Sequence, residues 1–155
     1  RKHARFFAEQ FAAVGLDVKA VPLDWPALQM RIHKKQCQMW SMGWHLDYPD
    51  AQNVLQCFYG PHVARGLNSC NYASAAFDKL YEAALPLPDG PRRRELYVRM
   101  VRQVSEDCPV LVLTEPQSYL VVHGWLRNVK PHPFWSGSLK YWRLDPAARL
   151  GEGGQ

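Results

Sequence analysis

The segment Gly43-Trp44-His45-Leu46-Asp47-Tyr48-Pro49-Asp50 gathers the side chains with the most chemistry in this 155-residue chain. It sets a carboxylate, two aromatic rings and a Pro-anchored turn directly after a run that reads as a strand. Ligands of open α/β sheets bind beyond the carboxyl ends of strands, so a site would form here. A carboxylate beside aromatic rings, partly shielded from water, suits an ammonium group. The charge-assisted contact is roughly twice as strong as a neutral hydrogen bond, and a ring face adds about 0.5–2 kcal/mol. Asp47 and Asp50 each have a plainer reading, as caps for a helix beginning near Ala51. The cap is the preferred reading for Asp50; for Asp47, capping and ligand binding both stand. His45 and Asp47 lie two apart and face one side of an extended segment, an acid and base for a small stand-alone enzyme. As metal ligands they are two where at least three must converge.

The remaining chemistry is sparse. The sequence holds no GxSxG, HExxH, Walker loop or GxGxxG. None of the six histidines stands four residues from another. The four cysteines, Cys37, Cys57, Cys70 and Cys108, form no CxxC pair, which argues against zinc ribbons and thioredoxin-like sites. Cys57 and Cys70 bracket a loop, where a bridge in an oxidising compartment and two unlinked thiols are equal readings. Nineteen Lys and Arg against fourteen Asp and Glu give a net charge of +5. The positives are scattered, and the densest run, Arg92-Arg93-Arg94, reads as a solvated helix face rather than a phosphate-binding patch. A nucleic-acid module has no motif behind it.

The elements that must position these residues follow from periodicity. At 47% apolar and 21% charged, the composition is that of a globular domain, and no apolar run approaches the roughly 18 residues of a membrane span. Phe7, Phe11 and Val14 recur at helical spacing from Lys2, with Gly15 as the stop. Leu16–Ala20 alternates as a strand. Asp24 caps a second helix with Pro26 in its first turn and Leu28 and Ile32 on its inner face. Gln36–Trp44 reads as a second strand, giving the pattern of an α/β layer. Ala51–Tyr59 reads as a short helix, Gly60–Tyr72 as a long loop, and Ser74 as the start of a helix carrying Phe77, Leu80, Tyr81 and Ala84. Three prolines break the chain across Leu85–Pro91. Asp89 with Pro91 then opens the longest helix, to about Asp107, with Leu96, Met100 and Val104 spaced by four. Pro109–Thr114 and Tyr119–Val122 read as strands. Irregular chain follows through Pro131, Pro133 and Gly137, then the Tyr- and Trp-rich Leu139–Leu144 and a frayed tail at 151–155. The chain opens at Arg1 without a charged n-region and apolar h-region, so this stretch carries no signal peptide and reads as a trimmed chain or a piece of a longer one.

One ordered series of weak signals is specific in sum. It runs Gly43-Trp44-x-x-Asp47-Tyr48-Pro49-Asp50-Ala51-x-Asn53, then Phe58-Tyr59, Asn68, Asn71-Tyr72, Phe77-Asp78-x-Leu80 and Arg94-x-Leu96-Tyr97. Together with Gly15-Leu16-Asp17-Val18, Pro109-Val110 and Lys140-Tyr141-Trp142, it resembles the extracytoplasmic solute-binding proteins of family 5. These are the binding components of peptide, dipeptide and nickel ABC transporters. The resemblance covers nearly the whole chain but only the last third or so of a family member.

That resemblance implies an α/β fold, the C-terminal lobe portion of a two-lobed type II periplasmic-binding-protein-like architecture. Residues 1–122 would be part of the ligand-binding lobe, and the tail 123–155 would return to the other lobe. It implies a binding protein and no enzyme. The full-length protein, with its signal peptide, would capture short peptides or related amine-bearing solutes by lobe closure in the periplasm or another extracytoplasmic space. It would deliver them to a membrane permease, as a monomer, with no cofactor, metal, nucleic-acid partner or membrane insertion. Asp47 would take the ligand's α-ammonium, with Trp44 and Tyr48 walling the pocket or else packing in the core. His45 stands where the family is variable. A nickel or metal-chelate binder of the same family is the alternative.

Overall fold

The computed structural model describes residues 2–63, 66–115, 117–132, 134 and 137–151. The expected frayed tail, past Gly151, and Pro133 lie outside the described residues. The chain divides into two units between Met42 and Gly43.

The first unit is built on two helices. In α1 (Lys2–Ala13) Phe7 and Phe11 are half-buried, while Arg5 pairs with Glu9 at 2.7 Å on the exposed face. Gly15 ends it as the periodicity requires, at φ +82°, where a Cβ would be strained. Its N–H reaches the Ala12 carbonyl at 3.0 Å and the Leu16 N–H reaches Phe11 at 2.9 Å, a Schellman closure. In α2 (Trp25–His33) the Asp24 carboxylate accepts from the Ala27 N–H at 2.9 Å, and Ile32 is buried. The two strands expected here do not form. Leu16–Ala20 and Gln36–Trp44 run as irregular chain, with Leu16 52% and Met39 56% exposed. Alternation makes a strand only where a neighbour completes the ladder and covers the apolar face, and no strand lies alongside among the described residues.

The second unit has a packed centre. Ala51–Tyr59 is helical as its pattern implies, as α3 (Gln52–Leu55) followed by a 3₁₀ turn at Gln56–Phe58. A further 3₁₀ turn at Gly60–His62 enters the long loop. The Ser74 hydroxyl accepts from the Phe77 N–H at 3.4 Å and starts α4 (Ala75–Ala84). The 17-residue α5 (Pro91–Asp107) lies against α4. Gly90, not Asp89, holds its N-cap position, with no side-chain cap, while Pro91 supplies the pre-set first turn. Cys108, at φ +48°, ends the helix in the left-handed region. Leu55, Phe58, Phe77, Tyr81, Ala84 and Met100 form the core. Phe77 and Met100 are fully buried, and Phe77 meets Phe58 and Tyr72 edge-to-face at 6.3 and 5.7 Å. Such pairs add to area burial.

Beyond α5 the expected strands Pro109–Thr114 and Tyr119–Val122 are again unpaired, with Val112 92% and Val121 91% exposed. The sheet among the described residues is a two-stranded antiparallel ribbon, β1 (Leu126–Arg127) against β2 (Arg143–Leu144). Asp145 fastens it, accepting from Arg127 at 3.2 Å and from the Ala148 N–H at the start of α6 (Pro146–Gly151), also 3.2 Å. The described fold is thus helical with few strands, and the α/β layer expected from alternation is not assembled among these residues. Replacing the most enclosed ring tests where stability resides. Phe77→Ala should destabilise the second unit by about 3–5 kcal/mol, measured by urea denaturation. A loss under 1 kcal/mol would mean that the core lies elsewhere.

Candidate functional site

Gly43–Asp50 reaches α3 as irregular chain that bends over Asp47–Pro49, and its shape is set by one buried amide. Asn53 is fully buried on α3. Its Oδ1 accepts from the Trp44 indole N–H at 3.0 Å and from the Asp47 backbone N–H at 3.3 Å, while its Nδ2 donates to Asp47 Oδ2 at 3.2 Å. A buried amide left unpaired costs about 1–3 kcal/mol, so these three bonds fold Trp44 and Asp47 back onto the helix. The Asp47 carboxylate is thereby held from one side only. Its Oδ1 has no hydrogen-bond partner among the described residues, and the residue is exposed.

Asp50 anchors the far end of the segment. Its carboxylate accepts from the Gln52 N–H at 2.9 Å, but Ala51, not Asp50, holds the N-cap position of α3, with no side-chain cap. It also reaches across to α5, accepting from Arg93 at 2.5 Å and from the Tyr97 hydroxyl at 3.0 Å. The Arg93 guanidinium lies 5.0 Å from the Tyr97 ring centroid. Burial alone would raise the Asp50 pKa, but the Gln52 N–H, Arg93 and Tyr97 together hold it below the ordinary carboxylate value. Burial, and then Asp50 as acceptor, push the Tyr97 phenol up to about 12. Alongside, Gln52 links two rings, accepting from the Tyr48 hydroxyl and donating to the Tyr81 hydroxyl.

The structure thus brings Trp44 and Asp47 together through Asn53, whereas Tyr48 turns to Gln52. Trp44 and Tyr48 are 38% and 41% exposed, so neither is a core residue. The exposed His45 makes no hydrogen bond among the described residues and does not meet Asp47 as an acid–base pair. Two hollows lie along Asp89–Val98 and between Asn128 and Tyr141. Among the described residues no three His, Cys, Asp or Glu side chains converge as a metal site, and no helix is long and apolar enough to cross a membrane. Two positions escaped sequence reasoning. Arg93 belongs to the supposed solvated run, yet its side chain is only 14% exposed. Its spacing, three and seven residues before Leu96 and Met100, is the available signal. Asn53 appears in the sequence only as the last residue of a pattern; nothing in its type marks it as a hub.

A chain with this ordered segment and helical centre is similar over most of its length to proteins named for binding peptides. It is 27% identical over 131 residues to di/tripeptide-binding protein 3 of Pseudomonas aeruginosa (strain UCBPP-PA14), covering 84% of this chain and 25% of that protein. It is 29% identical to oligopeptide-binding protein AppA of Bacillus subtilis (strain 168), covering 81% of this chain and 23% of that protein. It is 26% identical to the periplasmic oligopeptide-binding protein OppA of Escherichia coli (strain K12), covering 86% of this chain and 22% of that protein. The chain therefore spans about a quarter of the length of the relatives it matches. No family model matches, and no solved structure matches.

The Asp50 cluster makes a pH prediction. A folded-state pKa below the unfolded value of about 3.9 contributes stability that is present above that value and lost as pH falls through the folded pKa. Asp50→Asn keeps an acceptor for Gln52 and removes the charge facing Arg93. It should cost about 1–3 kcal/mol at pH 7, and the difference from wild type should shrink below about pH 4 in denaturant titrations. A difference that is flat from pH 7 to pH 3 would mean that the ion pair contributes nothing.

Proposed function

We propose that the chain is part of the substrate-binding component of an ABC importer, one that captures short peptides and delivers them to a membrane permease. The observation that carries this reading is similarity over 81–86% of the chain to proteins named for binding dipeptides, tripeptides and oligopeptides. The site is consistent with that chemistry. Asp47 offers a carboxylate fixed at one oxygen and open at the other, with the Trp44 ring beside it, which fits a peptide's α-ammonium. Tyr48 and His45 flank this group as further ligand contacts. Recognition through main-chain groups tolerates varied side chains.

In this reading, residues 1–122 are part of one lobe of a two-lobed type II fold, and residues 123–155 return to the other. The exposed apolar runs at 109–114 and 119–122 are strands whose sheet partners belong to the rest of a longer, extracytoplasmic protein. Ligand held at Asp47 gains contacts from the facing lobe and shifts an open–closed equilibrium by its differential affinity for the closed state. The protein acts by binding, without catalysis or cofactor.

Asp47→Asn in the full-length protein is the test, read by calorimetric titration with a dipeptide and its N-acetylated form. Closure buries the ion pair, so losing one partner should cost about 3–5 kcal/mol, more than a hundredfold in affinity. N-acetylation should weaken binding to the wild type by a similar factor and hardly affect the variant. Unchanged affinity would make Asp47 structural. The 155 residues alone, lacking the facing lobe, should bind the same dipeptide weakly or not at all. Tight binding by them would overturn the two-lobed reading.

A further inference from the structure

Cys57 and Cys70 stand at the two ends of a loop that the fold has already closed. Cys57 lies in the 3₁₀ turn after α3, and Cys70 lies two residues before Tyr72. Between them Asn68, 1% exposed, donates through its one amide nitrogen to the Tyr59 carbonyl at 3.0 Å and the Tyr72 carbonyl at 2.8 Å. The segments that follow the two cysteines are thus held side by side. Phe58 and Tyr72 meet edge-to-face at 6.2 Å across the same gap. Both cysteines are half-buried against the Phe58–Phe77 core, and the Cys70 sulfur is 3.9 Å from the Cys57 carbonyl oxygen. The Cys70 thiol, which also lies 3.4 Å from Asn68 Oδ1, thus sits against the Cys57 backbone.

We propose that Cys57 and Cys70 are a disulfide pair, formed by exchange with a disulfide-bearing oxidant, that staples the loop between α3 and α4. One cysteine thiolate attacks the oxidant's S–S bond, making a mixed disulfide and releasing one thiolate. The second cysteine, deprotonated, attacks the protein sulfur of that mixed disulfide and releases the other. The two cysteines lose two protons and two electrons, and the oxidant leaves as two thiols. Burial, with the neighbouring Cys70 thiol adding to it, pushes the Cys57 pKa up to about 11, so bridging should accelerate as pH rises. The other cysteines are placed differently. Cys37 lies in the first unit, and the exposed Cys108 points its thiol at the Val110 carbonyl two residues on, at 3.8 Å.

The closed loop removes freedom chiefly from the unfolded chain, so oxidation should raise the thermal midpoint. The experiment incubates the whole chain with oxidised glutathione at pH 8.5, alkylates it under denaturing conditions and measures the intact mass. Two alkyl groups are expected rather than four. Tryptic peptides 36–65 and 66–79 should be joined, with fragmentation between Met39 and Phe58 placing the link at Cys57 rather than Cys37. A reductant should then lower the thermal midpoint of the oxidised wild type by several degrees and leave that of Cys57→Ser/Cys70→Ser in place. Four alkylated cysteines, or a bridge to Cys37 or Cys108, would overturn the proposal. So would an equal response of wild type and double variant to the reductant.

Discussion

A single buried amide decides the shape of the chemically richest part of the chain. Asn53 is sealed from water on a helix of four residues, too short to persist on its own. Its polar atoms must be satisfied from nearby, and the nearest unpaired groups are on the segment just before it. The Trp44 indole, the Asp47 N–H and the Asp47 carboxylate answer that requirement. The consequence is geometric. The helix is tied to the segment, and one carboxylate oxygen is fixed while the other faces outward.

Asp50 completes the arrangement from the other direction. Its bonds to Arg93 and Tyr97 join the same short helix to α5, whose Met100 side chain is buried in the core. Position therefore passes from a packed apolar centre, through an ion pair with side chains 14% and 26% exposed, to the loop carrying Asp47. A pair this sheltered is less screened than a surface one. Two neighbouring carboxylates thus take different roles through their surroundings. Asp50 is consumed by internal donors, and Asp47 keeps an acceptor in reserve.

How much of this was legible depended on the range of the interaction. Local chemistry read well. The Asp24 and Ser74 caps, the Gly15 stop, the α4 stripe and the Leu96–Met100–Val104 spacing follow from bonds within a few residues, and the structure has them. Asp50 as an acceptor near the start of α3 was legible for the same reason, although Ala51 holds the N-cap position. Its partner was not, because Arg93 is 43 residues away, and a basic triplet looks solvated unless the tertiary contact is known. Asn53 was hidden more deeply. Its type favours turns and surfaces, and only the packing of α3 against the core explains its burial.

The strands are the instructive failure, because the error was one of context rather than of composition. Val110–Leu113 and Tyr119–Val122 are apolar and β-branched enough for a sheet interior, and the chain holds them exposed. Strand propensity measures fit to a pleated, half-covered surface, which a neighbouring strand has to supply. Helices satisfy their own backbone and so appear wherever their stripe finds a core; strands borrow half of every ladder from another segment. Apolar runs without a neighbouring strand should therefore stay unpaired where helices still form. That is the pattern here: helices α3, α4 and α5 around a shared core, and apolar runs with nothing to pair with among the described residues. The α/β layer expected from alternation is thus not assembled among the described residues, and the apolar residues that would fill it remain written in the sequence.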